Sequence, residues 1–128
     1  MEQKKMILVI DNDREFTSLL NKFLTDICGY EVRIVPDGYN GMILAKKLVP
    51  ALILLDIRMP AMNGLGILEK LKSDEKTAHI PVIILTGFDD DEVKNKAFSL
   101  KAADYLAKPI DLEILRLRVA AALRENNP

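Results

Sequence analysis

Four polar side chains stand directly after short apolar runs, at positions far apart along the chain. Asp11 follows the first run and Asp56 follows the third. Two carboxylates that come close together cannot both stay ionised at low cost, so such pairs usually hold a divalent cation. Thr86 and Lys108 follow later runs and add a hydroxyl and an ammonium group, which suit the oxygens of a phosphoryl group. These residue types predict a magnesium-assisted phosphoryl site with a carboxylate as the nucleophile.

The elements that must position these side chains follow from the hydrophobic pattern. Short apolar runs indicate buried strands, and apolar residues repeating every three or four positions indicate helices. The first helix is expected to end at Gly29, and its apolar face is Phe16, Leu19, Leu20, Phe23, Leu24 and Ile27. The predicted strands are Met6–Ile10, Glu31–Val35, Leu52–Leu55, Val82–Leu85 and Tyr105–Ala107, and the later helices are Tyr39–Leu48, Gly64–Ser73, Asp90–Lys101 and Leu112–Glu125.

Strands that alternate with helices in this way predict an α/β fold. Near-continuous apolar strands are typical of a parallel sheet covered by helices on both faces. Right-handed crossovers bring the C-terminal ends of all the strands to one edge, where ligands bind. The four polar side chains should therefore share one crevice, although the pattern does not give the order of the strands.

Composition limits the classes of protein that fit. The chain has 128 residues, the size of one domain, with 18 Lys and Arg against 19 Asp and Glu. A net charge of −1 gives no reason to expect binding to nucleic acid or to an anionic membrane. The apolar runs are too short for a membrane span or a signal peptide, and the single cysteine, Cys28, excludes an internal disulfide. We expect a cytoplasmic domain.

Four segments taken together resemble the receiver domains of bacterial two-component response regulators, of the single-domain chemotaxis type. The likeness extends from Lys5 to about Arg124, and its segments are Val9–Asp13 (VIDND), Leu54–Pro60 (LLDIRMP), Ile83–Gly87 (IILTG) and Tyr105–Pro109 (YLAKP). The resemblance implies one receiver domain over residues 1–128. It also implies a flavodoxin-like (βα)5 fold with the strand order 2-1-3-4-5.

The resemblance implies a phosphoryl-accepting switch. Asp56 would take a phosphoryl group from the phosphohistidine of a sensor kinase, and Lys108 would pair with a phosphoryl oxygen. Thr86 would bond the phosphoryl group once it has arrived, and Tyr105 would turn inward as Thr86 moves. Pro109 would follow a cis peptide bond, which proline permits at a small cost. Beyond self-phosphorylation and autodephosphorylation, no enzyme activity is expected.

A magnesium ion is the cofactor that the resemblance implies. Asp11 would help to hold the ion through water, and Asp56 and the backbone carbonyl of Arg58 would also bind it. Asn12 stands where the family usually has a second acid. An amide keeps an oxygen ligand but removes a charge, so we expect weaker magnesium binding.

The implied partners are proteins. A sensor histidine kinase or a phosphotransfer protein would supply the phosphoryl group, and the fourth helix, fifth strand and fifth helix would bind a downstream target or a second copy in a homodimer. A second apolar stripe on the last helix, Ile114, Leu117 and Ala121, fits such an interface or is scattered surface. The chain ends about where the fifth helix ends, so it is either a stand-alone switch or a piece of a longer regulator.

Several residues have simpler structural interpretations. Asp13 is expected to cap the first helix rather than to bind metal. The acidic run Asp89–Glu92 suits the start of a helix. His79 is expected in an exposed loop, and Cys28 is expected to pack beside the core position Ile27.

Two other functions compete with the phosphoacceptor switch. One is a receiver-like binding module that is not phosphorylated, which only Asn12 supports. The other is a small phosphatase with an aspartate nucleophile, because Asp11-x-Asp13 after the first strand resembles the start of that superfamily. Glu15 and the short chain argue against the phosphatase.

Overall fold

A computed structural model of the chain describes residues 4–59, 62–87 and 90–125. Pro60 of the second motif segment and Asp89 of the acidic run lie outside these ranges. Within them, no helix is long and apolar enough to cross a membrane.

Five parallel strands form the central sheet. They lie in the spatial order β2-β1-β3-β6-β7, which is 2-1-3-4-5 when only the strands of this sheet are counted. The predicted fold is thereby confirmed. Their bounds are β1 Met6–Ile10, β2 Glu31–Val35, β3 Leu52–Leu55, β6 Val82–Thr86 and β7 Asp104–Ala107.

Five α-helices cover the two faces of this sheet. Alternate strand residues point to opposite faces, so Leu8 and Ile10 join one core cluster while Ile7 and Val9 join the other. Helices α2, α3 and α4 pack on the first cluster, and α1 and α5 pack on the second. Their bounds are α1 Arg14–Lys22, α2 Gly38–Leu48, α3 Gly64–Ser73, α4 Asp91–Ser99 and α5 Leu112–Glu125.

Carboxylates and an amide fix where the helices begin. Asp13 caps α1 by accepting a hydrogen bond from the Phe16 backbone N at 3.1 Å, as predicted. Asp37 and Asn63 cap α2 and α3 in the same way. Asp90 accepts from the first turn of α4, so this acidic segment is a helix start, and the helix itself begins one residue later than predicted.

The first helix departs from the prediction at its C-terminal end. Residues Phe23–Ile27 form wider π-helical turns, and Gly29 follows with a positive φ of 78°. A π turn advances fewer degrees per residue than an α turn, so Ile27 rotates out of the buried stripe and is 69% exposed. Leu19, at the edge of the stripe, is 54% exposed. The prediction that both belong to the buried face is wrong, whereas Cys28 is half-buried against the core.

A two-stranded antiparallel ribbon follows the third strand and was not predicted. Its strands are β4 Arg58–Met59 and β5 Met62–Asn63, with Arg58 opposite Asn63. The Gly64 backbone N donates to the Ile57 carbonyl at 3.3 Å, at the start of α3. Ile57, directly after Asp56, is therefore tied to the start of a helix.

Candidate functional site

The pairing of β1 with β3 brings two acids to the same edge of the sheet. Asp11 and Asp56 are the first residues after these strands. The Asp56 backbone N donates to the Ile10 carbonyl at 2.9 Å, which continues the ladder one step beyond β3. Both residues are buried, with 2% of Asp11 and 6% of Asp56 exposed. The predicted juxtaposition of the two carboxylates is present.

The side chain of Lys108 lies between these carboxylates. Its Nζ is 2.9 Å from Asp11 Oδ2 and 3.4 Å from Asp56 Oδ2. Its backbone N donates to the Thr86 carbonyl at 2.7 Å, just beyond the end of the β6–β7 pairing. The peptide bond between Lys108 and Pro109 is cis, as predicted. Side chains from the ends of β1, β3 and β7 therefore meet in one crevice, and the end of β6 adjoins it through the Thr86 carbonyl.

Backbone amides hold the remaining carboxylate oxygens in place. Asp11 Oδ1 accepts from the Asp13 N at 2.9 Å, and Asp56 Oδ1 accepts from the Arg58 N at 2.8 Å. Each carboxylate thus has one oxygen on the backbone and one directed at Lys108. This arrangement fixes the orientation of both acids before any ligand arrives.

Comparison with known protein families shows which family has this fold and crevice. The family model of the response regulator receiver domain matches residues 7–120. This chain belongs to the receiver domain family. Receivers of two-component systems are signalling switches in phosphorelays.

Relatives and solved structures agree with this membership. The chain is 40% identical over 121 residues to the DNA-binding dual master transcriptional regulator RpaA of Synechocystis, covering 94% of this chain and 50% of RpaA. It is 38% identical to the response regulator PleD of Caulobacter vibrioides, covering 92% of this chain and 26% of PleD. A CheY-like receiver from Methanospirillum hungatei superimposes with a TM-score of 0.90 at 27% identity, covering 97% of both chains. The receiver thus spans about half of RpaA and a quarter of PleD.

Burial and charge set the protonation of the receiver's crevice. Burial raises the pKa of Asp11, although hydrogen bonds from Lys108 and the Asp13 backbone oppose the rise. Burial alone would lower the pKa of Lys108, but the hydrogen bond to Asp11 and the charges of Asp11 and Asp56 outweigh it and raise the pKa. Lys108 therefore stays an ammonium ion. Two acids face this single ammonium, which leaves an excess of negative charge in a buried cleft.

The two predicted switch residues are both buried. Thr86 has no exposed surface, and Tyr105 is 6% exposed and belongs to the core cluster of the α2–α3–α4 face. The Tyr105 ring therefore already lies inward in this structure. Its predicted inward turn on phosphorylation stays a prediction.

The oxygen donors in the crevice suit magnesium. Carboxylates and carbonyls are the hard ligands that Mg²⁺ prefers, and the excess negative charge favours a cation. Among the described residues, no three His, Cys, Asp or Glu side chains gather as a metal cluster. A metal bound to Asp11 and Asp56 would therefore need uncharged oxygens as well. Asn12 directly follows Asp11, and Arg58, whose backbone N bonds Asp56, could supply its carbonyl. The side chain of Asn12 is exposed.

One neighbour of the crevice was not predicted. The Phe16 ring lies beside Lys108, with 4.3 Å between the ring centroid and Nζ. In the sequence Phe16 is one of several apolar residues at helical spacing, and nothing distinguishes it from the others. As predicted, Asp13 caps α1, and His79 is exposed in the segment before β6.

Proposed function

We propose that this receiver is a phosphoacceptor switch that takes a phosphoryl group on Asp56. The observation that carries the proposal is the Lys108 ammonium placed between the buried carboxylates of Asp11 and Asp56. A structural ion pair needs only one acid per cation. Burying two acids around one lysine costs folding free energy. A phosphoryl site accounts for both acids, because Asp56 would accept the phosphoryl group and Asp11 would help to bind the metal.

The transfer step forms one bond and breaks one bond. A carboxylate oxygen of Asp56 attacks the phosphorus of a phosphohistidine, the phosphorus–nitrogen bond breaks, and the imidazole of the donor leaves with its electron pair. The product on Asp56 is an acyl phosphate, which water later hydrolyses. Lys108 offsets the charge on the phosphoryl oxygens during the step. The donor is a sensor histidine kinase or a phosphotransfer protein.

A magnesium ion is the cofactor of the proposed step. Asp11, Asp56, the Arg58 carbonyl and the Asn12 amide oxygen would hold it, and it would supply charge stabilisation for the phosphoryl oxygens. Lys108 Nζ donates hydrogen bonds to both of these acids. Because Asn12 carries no charge, binding is expected to be weaker than in a receiver with an acid at that position.

Signal output is proposed to leave through the face formed by α4, β7 and α5. Each element contributes exposed groups: Phe98 is 41% exposed on α4, and Ile114 and Leu117 are 45% and 58% exposed on α5. Arg118 of α5 donates from one nitrogen, Nη1, to both carboxylate oxygens of Asp104 on β7, at 2.7 and 2.8 Å. This mixture of apolar and charged groups suits a protein target or a second copy of the chain.

The role of this chain is proposed to be protein recognition and not direct contact with nucleic acid. RpaA is a DNA-binding regulator, but this chain covers only 50% of its length. The net charge of −1 gives no overall electrostatic attraction to DNA. A cytoplasmic location stays a prediction of this role.

Labelling with a small phosphodonor tests the proposal. Incubation with phosphoramidate and Mg²⁺ should attach one phosphoryl group, on Asp56 alone. The product is an acyl phosphate, so the group should be labile to acid and should be removed by base or hydroxylamine. Asp56→Asn should abolish labelling because an amide is not a nucleophile. Asp37→Asn, at a helix cap remote in sequence, is the matched control and should label fully.

The same experiment separates the other two functions. A binding module would remain unlabelled with an intact fold, and full labelling of Asp56→Asn would move the acceptor elsewhere. A phosphatase would turn over its substrate with Asp11 as the nucleophile. The cap formed by Asp13 argues against the phosphatase, because that carboxylate bonds the Phe16 backbone N.

A further inference from the structure

The Lys108 ammonium lies against two carboxylates and one uncharged ring. Its Nζ bonds Asp11 and Asp56, and the centroid of the Phe16 ring lies 4.3 Å away. A cation within about 6 Å of an aromatic centroid is attracted by the negative face of the ring. Only 17% of the Lys108 side chain is exposed, so water weakens this attraction little.

The Phe16 ring is held in place by the segment that carries Asp11. The Phe16 backbone N donates to the Asp13 carboxylate at 3.1 Å, and the Asp13 backbone N donates to Asp11 Oδ1 at 2.9 Å. The ring is half-buried and packs against the core cluster of the α1–α5 face. The acid and the ring therefore keep a fixed relation to each other.

We propose that Phe16 is a positioning residue that holds the Lys108 ammonium over the phosphoryl site. The inference rests on the proposed function, since it gives Lys108 a phosphoryl oxygen to meet. A lysine side chain has several rotatable bonds, so ordering it costs conformational entropy. The two carboxylates order it in the unphosphorylated state, but they are also the groups that a metal and a phosphoryl group engage.

Unlike the carboxylate contacts, the ring contact leaves the charge and the N–H groups of Lys108 available to another partner. An aromatic face attracts the ammonium without neutralising its charge and without accepting its protons strongly. The attraction persists when Asp11 and Asp56 turn to other ligands. Phe16 thus keeps a fully charged Lys108 close to the site at the stage when its hydrogen bonds to the acids are given up.

Two substitutions separate the aromatic face from simple bulk. Phe16→Leu keeps an apolar side chain in the core and removes the ring, whereas Phe16→Tyr keeps the ring. With phosphoramidate at saturating Mg²⁺, Phe16→Leu should slow labelling of Asp56 about threefold to tenfold, and Phe16→Tyr should stay within about twofold of the parent. Phe23→Leu is the matched control, because Phe23 packs against the same cluster, and it should label at the parent rate.

A double-mutant cycle with Lys108 decides whether the effect acts through the lysine. In the Lys108→Ala background, Phe16→Leu should change the labelling rate by less than about twofold. A full threefold to tenfold loss in that background would overturn the proposal. So would a Phe16→Leu protein that labels as fast as the parent.

NMR chemical shifts of the Lys108 side chain in the unphosphorylated protein distinguish an aromatic contact from a purely apolar packing role. The ring should shift the side-chain resonances of Lys108 upfield relative to the other lysines, and the shift should disappear in Phe16→Leu and persist in Phe16→Tyr. Absence of the upfield shift in the parent would overturn the proposal even if Phe16→Leu failed to fold. Because this arm needs no phosphoryl transfer, it stands when labelling of Asp56 fails, and the two proposals fail separately.

Discussion

Gly64 sits so close to Ile57 that a Cβ on it would lie 2.2 Å from the Ile57 Cα. The atoms it would meet include backbone, which cannot move aside as the end of a side chain can. Ile57 directly follows Asp56, so this contact packs the start of α3 against the loop that leaves the proposed acceptor. Only glycine fits at position 64 without moving that loop.

Replacing Gly64 with alanine should therefore destabilise the protein and disturb the acceptor loop. We expect a loss of about 1–3 kcal/mol in the free energy of unfolding, typical of overpacking, with slower labelling of Asp56. Gly66→Ala is the control, since the nearest atom to its added Cβ is 3.9 Å away. That change should be neutral or stabilise α3 by up to about 1 kcal/mol. Urea unfolding measures both, and equal stability of the two variants would contradict the close contact.

The apolar runs of the sequence predicted the scaffold well. The bounds of β1 and β3 match the prediction because each run ends sharply at a charged residue, Asp11 or Asp56. The same runs placed the side chains of the candidate site, since strand ends in a parallel sheet must share an edge. The strand order came from the resemblance, because periodicity says nothing about which strands are neighbours.

Features without a period were not predictable. The ribbon after β3 has two residues per strand and no apolar run. The π turns rotate Ile27 outward, although its spacing fits an α-helical stripe. The contact of Phe16 with Lys108 joins residues from the two ends of the chain, and only the folded sheet brings them together.

Removing the charge of Asp11 should stabilise the metal-free protein. Burial raises the pKa of this acid despite the hydrogen bond from Lys108, so the ionised form is less stable in the folded than in the unfolded chain. In Asp11→Asn, Lys108 keeps Asp56 as a partner at 3.4 Å. We expect Asp11→Asn to raise the free energy of unfolding by about 0.5–2 kcal/mol, which is typical of substitutions that gain stability at the expense of activity.

Thermal melts with and without Mg²⁺ check this prediction. Magnesium should raise the melting temperature of the parent by binding the folded state, and it should have much less effect on Asp11→Asn. Asp13→Asn is the control, because Asp13 is exposed and asparagine also caps helices. A less stable Asp11→Asn protein without magnesium would show that burying the ionised Asp11 carboxylate beside Lys108 carries no net cost.

The cap of α2 predicts a pH dependence away from the site. Hydrogen bonds from the Asn40 backbone N and then its side chain lower the pKa of Asp37. A folded pKa below the unfolded value gives stability that is present above the unfolded pKa and is lost as pH falls through the folded pKa. Asp37→Asn keeps the cap without titrating, so its stability should fall less between about pH 5 and pH 2. Parallel acid dependence in urea unfolding of the two proteins would contradict this origin.

Restoring an acid at position 12 should tighten magnesium binding. At about 4 Å and an effective dielectric constant near 20, one pair of unit charges is worth about 4 kcal/mol before hydration is counted. Asn12 is exposed, so solvent screening removes most of this energy, and we expect Asn12→Asp to raise affinity by about tenfold or less. Calorimetry measures the magnesium affinity of both proteins. Asn95→Asp on α4 is the control, because it has the same net charge as Asn12→Asp. Unchanged or weaker binding by Asn12→Asp would place residue 12 away from the metal.

Thr86 should couple phosphorylation to the Tyr105 ring without being needed for phosphorylation itself. A hydrogen bond that forms only with the phosphoryl group present favours the active conformer by its own free energy, roughly 1.5–3 kcal/mol when one partner is charged. Thr86→Ala removes the hydroxyl, whereas Thr86→Ser keeps it and is the matched control.

The Tyr105 ring resonances measure this coupling directly. Phosphorylation should shift them in the parent and in Thr86→Ser, and the shift should shrink in Thr86→Ala while Asp56 still labels fully. A loss of roughly 1.5–3 kcal/mol corresponds to about a tenfold or larger fall in the ratio of active to inactive conformer. Only 6% of Tyr105 is exposed before phosphorylation, so the expected change is in the residues around the ring and not in its exposure to solvent. Equal shifts in the parent and in Thr86→Ala would mean that the signal reaches Tyr105 by a route that does not use the Thr86 hydroxyl.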